Sequence, residues 1–259
     1  MKSIEVFRNR LDLGEKLVGG SVTMKDPMSA DIITQHMDFA WIDMEHGGLD
    51  ISSVERHIIA SKKNRKPALV RIPELTAGWV KQVLDSGAHG IIVPQLYTPE
   101  EVKQAVAFSR YYPSGARGFG PRVPNTYGAF ESAAEYIEWA NTNIFICVQI
   151  ETAQAYEQLD AILSIAGYDS IVIGPADLSL NCGYYADITH PHVIEMIGSI
   201  IERAHSYNKY VGFGMAIDPP FAKRILQLGV DWLQVGGDFD YVSQSALNIF
   251  RLLNQDEPN

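Results

Sequence analysis

Short apolar runs alternate with longer segments of helical periodicity along most of the chain. We predict that eight runs rich in β-branched residues are strands, namely KLVGGSV, FAWIDM, PALVRI, GIIVPQ, IFICVQIE, SIVIGP, YVGFGM and WLQVGG. Between these runs, apolar residues recur every three or four positions, as in SSVERHIIASKK, PEEVKQAVAFSRYY, TAQAYEQLDAILSIA and HVIEMIGSIIERAHS. The pattern therefore predicts strands that alternate with helices.

Nearly continuous apolar strands, each followed by a helix, are typical of a parallel sheet that is buried on both faces. With 259 residues and no linker rich in proline or serine, the chain is predicted to form one domain over residues 1–259. A closed (β/α)8 TIM barrel of the α/β class is the leading fold for this length. An open doubly wound sheet is the alternative, but no glycine-rich nucleotide-binding turn follows the first strand.

Composition and charge exclude several classes of function. The formal charge is −10 with no extended run of Lys or Arg, which argues against nucleic acid as a partner. No apolar run is long enough to cross a membrane, and the N-terminal MKSIEVFRNRLDLGEK lacks the apolar core of a signal peptide. The two cysteines do not suggest a disulfide framework. We therefore expect a cytoplasmic protein that acts on a small molecule.

Polar residues gather where the predicted strands end. The strand ends carry Asp43, Glu45 and His46 (second strand), Arg71 (third), Gln149 and Glu151 (fifth), Asp177 (sixth) and Asp238 (eighth). One such carboxylate is readily explained as a helix cap or a first-turn residue. Several strands that deliver ionisable groups to one end of a barrel instead predict an active site, because the loops after the strands build the mouth.

The residue types at these strand ends indicate a chemistry. Glu151 and Asp177 would face each other across adjacent strands, and two close carboxylates need a divalent cation or a shared proton. Arg71 offers a charged fork that suits a substrate carboxylate. His46 is a natural proton shuttle near neutral pH, and Asp43 or Glu45 could fix its tautomer. Together these groups predict enolate chemistry on a 2-oxo acid.

Six motifs in order resemble the HpcH/HpaI aldolase family of the phosphoenolpyruvate/pyruvate superfamily. They are DFAWIDMEHGG, PALVRIP, VLDSGAHGIIVPQ, SRYYPSGARGFGP, VQIET and IGPADLS, and the similarity runs from about residue 15 to 240. The resemblance implies a (β/α)8 barrel, commonly hexameric, whose C-terminal helix is exchanged between subunits. It also implies cleavage or formation of carbon–carbon bonds through a pyruvate enolate bound to a divalent cation such as Mg, Mn or Co.

The same resemblance implies a role for individual residues. His46 would be the base with Asp43 behind it, Arg71 would hold the substrate, and Glu151 and Asp177 would bind the metal, while Gln149, Gly174, Pro175 and Ala176 would line the pocket. Asp85 also matches a functional aspartate of the family, but it ends a helix before a strand and so lies at the other end of its own barrel. It could reach an active site only across a subunit interface, as could segment 111–130. We therefore expect a homo-oligomer built from dimers, with a hexamer as one possibility.

Two segments depart from the aldolases and resemble the citrate synthases of the staphyloferrin B type. VGGSVTMKDP has Gly20 near a place where the aldolases carry a bulky residue, and RVPNTYG follows RGFGP. This branch condenses oxaloacetate with acetyl-CoA and is thought to need no metal. A small residue at Gly20 would make room for a larger substrate, and Arg122 would add a cation near the mouth. His46, Glu151 or Asp177 could then be the base, and the choice stays open.

Three functions follow from these considerations. The first expectation is an enzyme that condenses acetyl-CoA with oxaloacetate to give citrate for siderophore biosynthesis. The alternative is a divalent-metal-dependent class II pyruvate aldolase that acts on a 4-hydroxy-2-oxo acid, which a chelator would inactivate. The third is a catalytically silent barrel that serves as a scaffold, against which the intact set of His46, Arg71, Glu151 and Asp177 argues.

Overall fold

A computed structural model describes residues 2–254 and shows a closed barrel of eight parallel strands in which each strand pairs with the next and β8 pairs with β1. The strands are β1 (Leu17–Val22), β2 (Phe39–Asp43), β3 (Ala68–Arg71), β4 (Gly90–Val93), β5 (Phe145–Ile150), β6 (Ser170–Ile173), β7 (Tyr210–Met215) and β8 (Trp232–Gly237). All eight lie within the predicted runs, and the predicted (β/α)8 barrel is confirmed.

The helices fill the connections between the strands. They are α1 (Lys2–Asp12), α2 (Met28–His36), α3 (Ile51–Lys63), α4 (Ala77–Asp85), α5 (Pro99–Ser109), α6 (Ala133–Asn143), α7 (Ala153–Glu157), α8 (Leu159–Leu163), α9 (Pro175–Asn181), α10 (Pro191–Ser206), α11 (Pro219–Leu228) and α12 (Asp238–Leu253). The segment predicted as one helix after β5 is two short helices that are separated at Gln158. Among the helices within residues 2–254, none is both long and apolar enough to cross a bilayer.

The strands form because both of their faces are covered by apolar side chains. Every residue of β2 is buried, as is every residue of β4, β5 and β6. Residues that point outward pack against the surrounding helices, while inward residues such as Phe39, Phe145 and Trp232 form a second cluster inside the barrel. Continuous apolar runs, rather than alternating ones, are the sequence signature of this two-sided burial.

Helix α1 closes the end of the barrel at which the strands begin. The ring of Phe7 meets Phe39 and Phe145 edge-on, with centroids 5.7 and 5.6 Å away, and these rings belong to the cluster inside the barrel. Arg8 on the same helix forms a 2.7 Å ion pair with Asp169, just before β6. Within residues 2–254 the open end of the barrel is therefore the one where the strands finish.

Helix α12 follows β8 but does not pack against the barrel along its length. Of its sixteen residues, only Asp238 at its start is buried. Seven large apolar side chains of this helix are exposed, namely Phe239, Val242, Leu247, Ile249, Phe250, Leu252 and Leu253. A soluble monomer rarely exposes a contiguous apolar surface of this extent.

Candidate active site

The carboxyl ends of the strands surround a cavity of about 540 Å³. This volume lies in the range of sites that hold small organic molecules. The predicted residues that line it are Asp43, His46, Arg71, Gln149, Gly174, Pro175, Ala176 and Asp177. The structure thus brings together the residues that the sequence placed at the ends of β2, β3, β5 and β6.

Arg71 and Asp43 form the central ion pair of the cavity. Asp43 ends β2 and Arg71 ends β3, and the parallel register places the two residues side by side. Arg71 Nε donates to Asp43 Oδ1 at 2.9 Å and Arg71 Nη2 donates to Oδ2 at 2.6 Å, so the pair is bidentate. The guanidinium also lies 5.4 Å from the ring of Trp41. These contacts hold the guanidinium in one orientation.

Glu45 is a second anionic partner of Arg71, on the side away from the cavity lining. Its Oε2 lies 2.9 Å from Arg71 Nη1, and its side chain is only 6% exposed. Burial is the main cause that raises the pKa of Glu45, against the opposing charge of Arg71. A guanidinium has five N–H groups, and two of them donate to Asp43, so Arg71 keeps N–H groups on Nη1 and Nη2 for a substrate carboxylate.

His46 stands at the mouth of the cavity with its ring 62% exposed. The ring Nε2 lies 3.7 Å from Glu45 Oε2, whereas Asp43 accepts only from the backbone N–H of His46, at 3.4 Å. The carboxylate next to the imidazole is therefore Glu45, and Asp43 belongs to Arg71. The sequence left both carboxylates open as partners of His46, and the family resemblance favoured Asp43.

Glu151 follows β5 and is buried against two amides. Its Oε1 accepts the backbone N–H of Gln95 at 2.6 Å, and Oε2 accepts a hydrogen bond from Gln149 Nε2. A Cβ at residue 174 would lie 2.7 Å from Glu151 Oε2, so this approach requires Gly174. Burial raises the pKa of Glu151 to about 7, and the neighbouring charges of Glu45 and Asp177 act in the same direction. The group therefore exchanges a proton near neutrality.

The chemistry of the polar groups around Glu151 suits a divalent cation. Asp177 lies in the first turn of α9 and lines the same cavity, and its charge acts on Glu151. Gln149 Oε1 is buried and has no hydrogen-bond partner within residues 2–254. Two carboxylates and an amide oxygen are the hard ligands that Mg²⁺ or Mn²⁺ prefers. In the same range no group of three or more His, Cys, Asp or Glu is arranged for a metal, so water or substrate would complete the coordination.

Gly20 does not enlarge the cavity. A Cβ at Gly20 would lie 2.8 Å from the hydroxyl of Tyr241 and 3.3 Å from Ile33, so this position faces α2 and α12. The β1 residues that line the cavity are Ser21 and, just after the strand, Thr23. The expectation that Gly20 makes room for a larger substrate is therefore wrong, because successive residues of a strand point to opposite faces.

Arg122 and Asp85 lie at the opposite end of the barrel from the cavity of their own chain. Asp85 Oδ1 pairs with Arg117 at 2.7 Å, and Asp85 Oδ2 lies 3.3 Å from a Cβ placed on Gly120. Arg122 is exposed and donates its N–H to Gly120 O at 3.0 Å. The structure thus does not bring Arg122 to the mouth of its own barrel. Any contact of Arg122 or Asp85 with a substrate would have to be made at a neighbouring subunit.

Asp238 connects the end of β8 with the loop after β1. Its carboxylate accepts hydrogen bonds from the backbone of Thr23 and Met24 and from the Thr23 hydroxyl, at 2.9 to 3.2 Å. The side chain is buried and lies outside the cavity lining. Its contribution is therefore to hold Thr23 at the cavity wall.

Gln95 belongs to the site but gave no signal in the sequence. It comes shortly after β4, and its side-chain Nε2 donates to Glu45 Oε1 at 2.9 Å while its backbone N–H binds Glu151. An uncharged residue in a loop has no distinctive pattern. The one available clue is its place directly after a strand end, which it shares with the charged site residues.

Comparison with known proteins gives a consistent picture. Residues 22–245 match the profile of the HpcH/HpaI aldolase/citrate lyase family. The 5-keto-4-deoxy-D-glucarate aldolase of Shigella boydii is 32% identical over 98% of this chain and 97% of its own length. An HpcH/HpaI aldolase from Desulfitobacterium hafniense has a crystal structure that superposes with a TM-score of 0.91, at 26% identity and 97% coverage of both chains. The citrate synthase SbnG superposes with a TM-score of 0.84, at 27% identity over 96% of this chain and 98% of that one.

Proposed function

Because the chain belongs to the HpcH/HpaI aldolase/citrate lyase family, we propose that it is a divalent-metal-dependent aldolase that cleaves a 4-hydroxy-2-oxo acid into pyruvate and an aldehyde, and also forms that bond. The observation that supports the proposal most strongly is the excess of negative charge at the cavity. The similarity to an enzyme named 5-keto-4-deoxy-D-glucarate aldolase supports it.

The cavity holds more negative than positive charge. Arg71 is the only lysine or arginine that lines it within residues 2–254, and two carboxylates, Asp43 and Glu45, already pair with that one cation. Asp177 and Asp240 also line the cavity, and Glu151 lies directly behind Gln149 and Gly174. A 2-oxo acid adds a further negative charge. A divalent cation near Glu151 and Asp177 would offset this excess and let the anionic substrate enter.

Glu151, Asp177 and Gln149 Oε1 are the groups that would hold the cation. A bound divalent cation supplies a Lewis acid that draws electron density from the oxo group of the substrate. Arg71 would bind the substrate carboxylate through its remaining N–H groups, and its bidentate contact with Asp43 keeps them oriented. The oxo acid is thereby held at the deep end of the cavity.

His46 is the group that we assign to proton transfer in this reaction. It accepts the proton of the C4 hydroxyl; the C3–C4 bond breaks, the aldehyde forms and the electron pair passes into the enolate of pyruvate. A proton returned to C3 then completes pyruvate. Glu45, 3.7 Å from the ring, stabilises the charge that His46 gains in the first step.

The cavity suits a chain of hydroxyl-bearing carbons beyond C4. Ser21, Thr23 and Asp240 place polar side chains along its wall, and Ile188 and Phe239 provide apolar surface. A cavity of about 540 Å³ accommodates a substrate larger than pyruvate alone. The substrate class that fits best is therefore a 2-oxo-3-deoxy sugar acid.

A second candidate is the condensation of acetyl-CoA with oxaloacetate to give citrate. The observation that favours it is Glu151, whose pKa of about 7 suits a general base that works without a metal. The similarity to SbnG also supports it. Two observations weaken this candidate. Gly20 gives no extra room for a larger substrate. Within residues 2–254, Arg71 is the only lysine or arginine at the cavity wall that could bind a polyanionic thioester.

One assay separates the two candidates. Purified protein is treated with EDTA and incubated with 5-keto-4-deoxy-D-glucarate, and pyruvate is measured before and after addition of Mg²⁺, Mn²⁺ or Co²⁺. We expect chelation to lower the rate by at least about 100-fold and the added metal to restore it, because Lewis-acid stabilisation contributes several kcal/mol.

A parallel reaction with oxaloacetate and acetyl-CoA is followed by thiol release and by mass spectrometry of citrate. Citrate formed at full rate in EDTA would overturn the aldolase proposal and establish the second candidate. A protein that produces neither pyruvate nor citrate, and binds no 2-oxo acid in calorimetry, would contradict both.

We further propose that the protein is a homo-oligomer in which the apolar face of α12 packs on a neighbouring subunit. The seven exposed apolar side chains of α12 support this, because nothing within residues 2–254 covers them. Exchange of α12 between subunits, as the family resemblance implies, would cover them. Asp85 and Arg122 would then be candidates for contact with the mouth of a neighbouring barrel.

Changing Phe250 to Asp should dissociate this oligomer, because the substitution places a charge in an apolar interface. Sedimentation velocity at micromolar concentration is expected to show the wild type as an oligomer and the variant as a smaller species. Gln244→Asp, which adds the same charge to the same helix at a polar position, is the control and should leave the assembly unchanged. A wild-type protein that sediments as a monomer with full activity would contradict the proposal.

A further inference from the structure

Strand β4 contributes no charged side chain to the cavity, yet it lies between the strands that carry Arg71 and Glu151. Gln95 lies two residues after the end of β4. Its two hydrogen-bonding groups point to different neighbours, the side chain toward Glu45 after β2 and the backbone N–H toward Glu151 after β5. Gln95 therefore connects two acidic groups that come from opposite sides of β4.

The backbone of Gln95 has an uncommon conformation. Its φ angle is +52°, in the left-handed region that a residue with a Cβ seldom adopts. The conformation directs the N–H at Glu151 Oε1, at 2.6 Å, and the side-chain amide at Glu45 Oε1, at 2.9 Å. Backbone strain of this kind persists only where surrounding contacts impose it, and it clusters at functional sites.

The loop that carries Gln95 is fixed independently of that side chain. Thr152 Oγ1 donates to Leu96 O at 3.2 Å, and Gln158 Nε2 donates to Tyr97 O at 3.3 Å. Both anchors come from the segment that starts directly after Glu151. Removing the Gln95 amide should therefore free Glu45 while the backbone of the loop stays in place.

From these contacts we infer that Gln95 is a positioning residue, which closes a continuous chain of contacts from Arg71 through Glu45 and Gln95 to Glu151. The chain links the ends of β2, β3, β4 and β5. The chain of contacts keeps Arg71 and Glu151 at a constant separation. The guanidinium of Arg71 would bind the substrate carboxylate, and the carboxylate of Glu151 would hold the cation. Gln95 itself does not line the cavity and touches no reacting atom. The inference rests on the proposed function, in which both ends of this chain act on one substrate.

The consequence of the inference is a defect in kcat rather than in substrate affinity. In Gln95→Ala, Glu45 Oε1 loses its partner, so Glu45 and the Arg71 guanidinium gain freedom to move relative to Glu151. A misplacement of about 1 Å costs about 100-fold in rate when orientation limits the reaction. We expect kcat to fall about 10- to 100-fold and KM to change less than about threefold. Gln95→Asn should show the same loss of kcat, because the asparagine side chain is one methylene shorter and its amide does not reach Glu45.

Two controls separate positioning from a general loosening of the loop. Gln158→Ala removes the anchor on Tyr97 without touching Gln95, and its kcat should stay within about twofold of the wild type. In the background of Glu45→Ala, the change of Gln95 to Ala should have little further effect, because the acceptor of the Gln95 side-chain amide is already absent. Melting temperatures of all variants are measured so that unfolding is recognised.

Steady-state kinetics on whichever substrate pair the wild type turns over, in the presence of metal, test the inference. A wild type that turns over neither the 2-oxo-3-deoxy sugar acid nor oxaloacetate with acetyl-CoA would refute the proposed function, and the inference with it. An active wild type whose Gln95→Ala variant keeps full kcat would overturn the inference alone. Equal losses in Gln158→Ala and Gln95→Ala, or full additivity with Glu45→Ala, would also overturn it.

Discussion

Replacing Glu151 with glutamine is expected to lower kcat by about 100- to 10,000-fold and leave the fold intact. The loss follows whether Glu151 holds the cation or carries a proton, since the glutamine amide brings no negative charge to a cation and does not take up or release a proton near neutrality. The fold should tolerate the change because Gln149 can turn its amide and offer its unpartnered Oε1 to the new NH2 group. Retention of more than about a tenth of wild-type kcat would contradict the assignment of Glu151 to the site.

The same substitution should change how stability depends on pH in the metal-free protein. Burial raises the pKa of Glu151 from 4.5 to about 7, so the folded state binds more protons than the unfolded state between these values. Stability therefore falls as pH rises through this window, by about 3 kcal/mol at most. Glutamine does not ionise, so Glu151→Gln should be more stable than the wild type at pH 8 and lose this advantage near pH 4.5.

Thermal or urea unfolding in EDTA at pH 5 and pH 8 measures this difference. Asp187→Asn is a suitable control, because Asp187 is an exposed carboxylate whose pKa is lowered by its hydrogen bonds with Thr189. The control variant should show no gain in stability at pH 8. An advantage of Glu151→Gln that is the same at both pH values would show that charge burial is not its cause.

Changing Arg71 to methionine should damage both stability and activity. The arginine is 12% exposed and is paired with Asp43 and Glu45, so its loss leaves two buried carboxylates without a counter-charge. Removing one partner from a buried ion pair costs about 3–5 kcal/mol, and we expect the free energy of unfolding at pH 7.5 to fall by that amount. kcat/KM should fall by at least about 100-fold, because the substrate carboxylate loses its charged donor.

A second substitution separates these two effects. Adding Asp43→Asn to Arg71→Met removes one of the uncompensated charges, and the side-chain oxygen of the introduced asparagine can still accept the Glu45 backbone N–H that Asp43 Oδ1 accepts at 3.0 Å. The double variant should therefore recover part of the stability measured by urea unfolding but none of the activity. Recovery of activity in the double variant would show that Arg71 supports the fold and does not bind substrate.

The sequence predicted the barrel well because its strands are buried on both faces. Runs such as GIIV in β4 and SIVI in β6 are completely buried, and the apolar letters alone mark them. The ends of these runs then identified Asp43, Arg71, Gln149 and Asp177 as neighbours, since parallel strands finish at one rim. A strand end can be located from the few residues that surround it in the sequence, without knowledge of the rest of the fold.

Other features of the site depend on which way a residue points or on contacts distant in sequence. Whether Gly20 or Ser21 faces the cavity depends on the phase of β1, and one residue of difference reverses the answer. The choice of Arg71 as the partner of Asp43 depends on the register between β2 and β3. Arg122 follows a loop that Arg117 and Asp85 fix at the far end of the barrel, a long-range contact with no local signature.

Helix α1 fills one end of the barrel, so within residues 2–254 a substrate of the cavity would arrive and depart where the strands finish. Phe7 and its aromatic neighbours fill the opposite opening. Arg71, which would bind the oxo acid, and Glu151, which would hold the cation, are less exposed than His46 at the mouth. Under the proposed function, pyruvate would therefore enter before the aldehyde in the condensing direction, and the aldehyde would leave first in the cleaving direction. The filled end of the barrel would thus give an ordered kinetic mechanism, in which pyruvate is the last product to dissociate.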